Sequence, residues 1–298
     1  MASDTKCTLA QSSLISEDRM ARGLWWQRAW SIVEGCTPVS PACDHCWSME
    51  QAGMRQYNPN PKTAARYAGL VGPKHFNGTV RLMEADLDKP RYARKPAVWA
   101  VWNDLFHPSV PEWFIDRAFA AMALAEKQTF VVLTKRPERM RDFISRVPVR
   151  SGVVAVDDNR GELHRCHLPL AAGHMKFVDW KKWPLPNVIL GVTAEDWGRW
   201  IERASVLRHI PAAMRVVSVE PMLGKIEPDL TGIDWIICGA ETGRQKRPMD
   251  LDWARRLRDQ CQETGVAFWF KRDSEGNHTL DGAEWRQLPW SKEANYEG

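Results

Sequence analysis

The chain of 298 residues has no apolar run near the roughly 20 residues that a membrane-spanning helix needs. Residues 1–23 are polar and charged and lack the apolar centre of a secretory signal. There is no internal repeat and no low-complexity tract, which argues against a solenoid or a disordered array. No single charge dominates. The 41 Lys and Arg against 37 Asp and Glu leave +4, a mildly basic balance that permits a nucleic-acid partner without specifying one. The 7 cysteines are an odd number, unsuited to a disulfide framework. These absences point to a reducing cytoplasm with no membrane attachment, where clustered cysteines more often bind metal than form disulfides.

Three of those cysteines fall within eleven residues, in the run Gly35-Cys36-Thr37-Pro38-Val39-Ser40-Pro41-Ala42-Cys43-Asp44-His45-Cys46-Trp47. Three thiolates so close in sequence can converge on one metal centre. A closed structural zinc site normally takes four ligands, whereas a site that does chemistry keeps one position open. An iron–sulfur cube held by three cysteines likewise leaves one iron free. The other four (Cys7, Cys166, Cys238 and Cys261) are scattered.

Short apolar runs alternate with helical patterns. Runs at 97–102, 129–134, 187–193, 215–219, 234–238 and 266–270 read as strands, and residues 31–33 and 79–82 add two candidates. Near-continuous apolar strands separated by helices indicate a parallel sheet covered on both faces. The expectation is an α/β fold, a full or partial (β/α) barrel over residues 23–290, with an open doubly wound sheet as the alternative. Residues 1–22 read as an N-terminal extension, 147–186 as an insertion and 291–298 as a tail. The 16 tryptophans read mainly as packing, with Trp25, Trp26 and Trp47 as candidates for stacking on a base.

In a parallel barrel the chemistry sits at the carboxyl ends of the strands. The residues there are Asp104, Lys135 and Arg136, Glu195 and Asp196, Glu220, Glu241, and Lys271 and Arg272. Glu220, before Pro221, marks an abrupt strand end, and Lys135 and Lys271 occupy similar places. A group of both signs suits a zwitterionic ligand. His164, Cys166, His167 and His174 form a second cluster that matches no metal spacing. The basic run after Lys135, through Arg139, Arg141, Arg146 and Arg150, reads as a solvated face or a phosphate contact.

Residues 30–47 resemble the signature of the phage Gp37/Gp68 family, which belongs to or lies beside the radical S-adenosylmethionine (SAM) superfamily. The resemblance continues through Asn103-Asp104-Leu105-Phe106-His107, Leu133-Thr134-Lys135-Arg136-Pro137, Gly191-Val192-Thr193-Ala194-Glu195-Asp196, Ser218-Val219-Glu220-Pro221-Met222-Leu223-Gly224, Gly239-Ala240-Glu241-Thr242-Gly243 and Arg247-Pro248-Met249. It implies a barrel of the TIM/radical SAM type. Cys36, Cys43 and Cys46 would be the three ligands of a 4Fe–4S cluster whose fourth iron chelates SAM. Cofactor contacts would come from His45, Asp104, Thr193, Glu195 and Glu241, with Glu220, Lys135 and Lys271 as catalytic residues. An external one-electron reductant is implied.

Two features depart from the superfamily pattern. Six residues separate Cys36 from Cys43 where three are usual, and Gly239-Ala240-Glu241 falls too late in the chain for the usual Gly-Gly-Glu motif. Family context implies a phage protein acting in the host cytoplasm, as a monomer, on DNA or a modified nucleotide. A radical rearrangement on a hypermodified thymine, or repair of cross-linked pyrimidines, would be the reaction. A zinc-stabilised nucleic-acid-binding module and an electron-transfer iron–sulfur protein are the competing classes.

Overall fold

In the computed structural model, residues 14–146 and 183–290 are described, together with three short strands between them. The first part holds α1 (Glu17–Ala21), β1 (Arg28–Trp30), β2 (Val33–Glu34), α2 (Trp47–Arg55), α3 (Pro61–Tyr67) and β3 (Arg81–Leu82). It continues with β4 (Val98–Val101), α4 (Glu112–Leu124), β5 (Thr129–Thr134) and α5 (Pro137–Ser145). The three short strands are β6 (Val154–Asp157), β7 (Glu162–Arg165) and β8 (Met175–Val178). The last part holds β9 (Val188–Thr193), α6 (Trp197–Leu207), β10 (Met214–Val219), β11 (Trp235–Cys238), α7 (Leu251–Thr264) and β12 (Ala267–Phe270).

Seven strands form one sheet in the order β1-β4-β5-β9-β10-β11-β12, every pair parallel. The order follows the chain without reversal, so the sheet has no topological switch point and is not doubly wound. It curls into a half-barrel. All six runs read as strands lie in it. The two further candidates do not: Val33–Glu34 and Arg81–Leu82 pair antiparallel with each other as a separate ribbon, and β1 takes the edge instead. Of the 147–186 stretch, the described strands form a three-stranded antiparallel sheet, β7-β6-β8, beside α4. His164 lies on β7; Arg150, Cys166, His167 and His174, like residues 1–13 and 291–298, lie outside the described residues.

Alternation along the strands sorts the side chains into two cores. Phe130, Val132, Val188, Leu190, Val192, Val217, Val219, Ile236, Phe268 and Phe270 pack on one face, against Phe119, Phe143, Trp200, Leu207 and Leu257 of α4 to α7. The inner face carries Val98, Ala100, Val131, Ile189, Val216, Trp235, Ile237 and Trp269. Leu14, Ile15, Trp25 and Leu288 cover it, with Trp290 edge-on to Trp235. Aromatic packing thus accounts for most of the tryptophans. Pro137 opens α5 at a position where its missing N–H costs nothing, and Asp196 and Asp250 cap α6 and α7 with their carboxylates. Among the described residues, no helix is long and apolar enough to cross a membrane.

Candidate metal centre and active site

The inner-face alternation continues past the strand ends. The register sets Thr193 beside Ser218, Ser218 beside Ile237 and Ile237 beside Trp269, with Lys135 next in line after the Thr134–Val192 pair. One step further out, Glu220, Gly239 and Lys271 follow the paired Val219, Cys238 and Phe270. The Lys271 ammonium donates to the Glu220 carboxylate across Gly239. A Cβ on Gly239 would stand 3.2 Å from the Cβ of Lys271, so the glycine leaves room for this pair. Lys135 makes no hydrogen bond or ion pair among the described residues.

The cysteine loop is laid over these carboxyl ends and held by three arginine–carboxylate pairs. Arg136, after β5, pairs with Asp104 at 2.5 Å and donates to the Thr37 carbonyl at 3.1 Å. Glu195, after β9, is fully buried, pairs with Arg203 at 3.1 Å and accepts from the Ala42 N–H at 3.4 Å. Glu241, after β11, pairs with Arg247, which donates to the Pro41 carbonyl at 2.8 Å, and it also bonds His45 Nδ1 at 2.9 Å. Asn103, in a left-handed conformation (φ 60°) that asparagine tolerates, donates to the Val33 carbonyl at 2.7 Å and accepts from Ser48 at 2.5 Å. Gly35 has φ 86°, and a Cβ there would meet the Thr79 carbonyl oxygen at 2.0 Å, so only glycine can precede Cys36.

The three thiols are free and half-buried. Cys36 and Cys46 pack on Ala52, Tyr67, Leu70 and Phe76. Burial pushes the Cys36 thiol up to about 11, with Asp104 adding to the rise and Arg136 opposing it. Burial also raises Cys46, against the N–H groups of Met49 and Ser48 in the first turn of α2 and the charge of Lys135. Cys43 is close enough to both to interact electrostatically. Among the described residues, no three Cys, His, Asp or Glu side chains converge in ligand geometry. The donor chemistry nevertheless fits an anionic thiolate centre: three soft ligands, an arginine beside one, and a helix N-terminus and a lysine beside another. Cys238 and Cys261 are fully buried in the core that packs against the helices.

Burial alone would raise Glu195 and Glu241. Hydrogen bonding and the charges of Arg203 and Lys135 hold Glu195 below the usual carboxylate range. Arg247 and His45 do the same for Glu241. Of the expected cofactor contacts, His45 and Thr193 border the loop and the inner face, while Asp104, Glu195 and Glu241 are engaged in holding the loop. The sequence reading assigned no role to Arg203, Ser218, His107 or Arg247. Strand alternation alone could have found Ser218, two residues before Glu220.

Beside the loop, Trp47 and Met54 of α2 are exposed, as is Tyr57 in the turn that follows the helix. Gly243 lies against Glu50 of the same helix, which brings the exposed Arg244 and Lys246 alongside.

The fold and site define an α/β half-barrel protein with a three-cysteine loop over the carboxyl ends of its parallel strands. The chain belongs to the family described as protein of unknown function DUF5131, whose sequence profile matches residues 22–289. No curated protein and no solved structure matches it.

Proposed function

We propose that this protein is a radical SAM-type enzyme acting on a nucleic-acid base, with the half-barrel serving as a barrel of the TIM/radical SAM type. The observation that carries the reading is the position of the Cys36, Cys43 and Cys46 loop. It is anchored over an inner face that bears Lys135, Thr193, Ser218, Glu220 and Lys271. The three cysteines would hold a 4Fe–4S cluster with one iron left for SAM. With an electron from an external reductant, such a cluster would supply radical chemistry through reductive cleavage of SAM.

The protein's part is to orient and to exclude water. Lys135, a cation beside Cys46 with no ion pair among the described residues, would attract a carboxylate. Glu220 and Lys271 hold opposite charges at one rim, where each can exchange a proton with a bound substrate. Asp104, Glu195 and Glu241 position the loop. The exposed Trp47 and Tyr57, with Arg244 and Lys246 alongside, suit an unstacked base and its phosphates. The protein would work as a monomer in the cytoplasm, that of the host if it is phage-encoded.

The test is anaerobic reconstitution with iron and sulfide, followed by reduction in the presence of SAM. Iron and sulfide at about four each per chain, a brown colour and release of 5′-deoxyadenosine are expected. One zinc and no iron would instead identify a zinc-stabilised binding module.

A further inference from the structure

We infer that Arg136 tunes the reduction potential of the centre held by the three cysteines, by fixing a positive charge and an N–H beside the Cys36 sulfur. The inference rests on the reading that these cysteines hold a 4Fe–4S cluster.

The guanidinium is held from several sides. Its Nη1 lies 2.5 Å from Asp104 Oδ2 and 3.9 Å from Cys36 Sγ. Its Nη2 donates to Thr37 Oγ1 at 2.8 Å and to the Thr37 carbonyl at 3.1 Å. Asp104 is held in turn by the Thr134 hydroxyl at 2.7 Å and the Phe106 N–H at 3.0 Å. Thr37 Oγ1 is 2.9 Å from His107 Nε2. The Ser109 N–H donates to His107 Nδ1 at 3.1 Å, so the neutral ring carries its proton on Nε2 and donates it to Thr37. The Arg136 side chain is only 12% exposed, so water screens its charge weakly.

Adding one electron to a thiolate-ligated cluster increases the negative charge on its sulfurs. A donor and a cation fixed beside one sulfur stabilise the reduced state more than the oxidised state, which raises the potential. Asp104 offsets part of that charge. The two residues therefore act with opposite signs, which a purely structural clamp does not require.

The experiment is an anaerobic redox titration, followed by electron paramagnetic resonance, of wild type, Arg136→Gln, Arg136→Lys and Asp104→Asn, each reconstituted with iron and sulfide. The midpoint is expected to fall in Arg136→Gln, to fall less in Arg136→Lys, and to rise in Asp104→Asn. A loaded Arg136→Gln with the wild-type midpoint overturns the inference. If Arg136→Gln takes up no cluster, Asp104→Asn decides: a higher midpoint supports the inference, and an unchanged or lower one overturns it. A wild-type protein that takes up no cluster overturns the reading beneath it, an outcome distinct from a loaded cluster with an unmoved midpoint.

Discussion

Lys271 and Glu220 meet over Gly239, the residue that follows the strand separating them. Both side chains are mostly buried, at 18% and 19% exposure, so water screens the pair weakly. Lys271→Met is expected to cost about 1–3 kcal/mol, because Glu220 loses its partner in a partly desolvated place. Urea unfolding measures this. In the proposed reaction the same variant lowers substrate turnover on the order of a hundredfold if the pair transfers protons. Turnover equal to wild type would remove the pair from the chemistry.

Cys43→Ala is expected to abolish iron and sulfide uptake under anaerobic reconstitution, read by elemental analysis and visible absorbance. In the metal-free protein, Cys36 is expected to react with iodoacetamide on the order of a hundredfold more slowly than an unperturbed thiol near pH 8, because its raised pKa leaves little thiolate. Mass spectrometry of labelled peptides reads the rate.

The loop should loosen in acid. Glu195 and Glu241 titrate lower in the folded protein than in the unfolded chain. Their contribution to stability is present above the unfolded value of about 4.3 and is lost as pH falls through the folded value. Unfolding free energy measured from pH 6 downward is expected to fall in this window. Glu241→Gln is expected to reduce that slope, and an unchanged slope would show that the pairing with Arg247 does not survive in solution.

Trp47→Ala and the double variant Arg244→Ala/Lys246→Ala are expected to weaken binding of a short single-stranded DNA, followed by fluorescence anisotropy. Loss of one stacked base corresponds to about 1–3 kcal/mol. Loss of two phosphate contacts lowers the slope of log affinity against log salt by roughly 1.4 on single strands. Unaltered binding by both variants would move the nucleic acid off α2 and its neighbouring loop.

The sheet was legible because its strands are buried on both faces and read as continuous Val, Ile, Phe and Trp runs. Residues 31–33 and 79–82 misled because a two-residue antiparallel ribbon has the same apolar look as the start of a barrel strand. The cysteines and the strand-end charges were visible from spacing and position. What those charges do was not. Glu195 reads as a mouth residue in sequence, yet Arg203, a turn or two into α6, turns it to the loop backbone. Arg203 and Arg247 lie within eight residues of the carboxylates they pair with, but the cysteine-loop groups that Arg136, Glu195 and Arg247 bond are 99 to 206 residues away, and only the folded sheet brings them together. The backbone groups that these anchors bond, in Thr37, Pro41 and Ala42, all lie in the six-residue gap between Cys36 and Cys43. A longer loop needs more anchors, and each anchor comes from a different strand.

Trp25 and Trp290 both stand edge-on to Trp235 at the amino end of β11, and Leu288 packs in the same cluster. In the proposed enzyme, indoles plug that end of the inner face, so a substrate would approach from the side of the cysteine loop. A polymer that reached in with one unit would then cover whatever is bound beneath it.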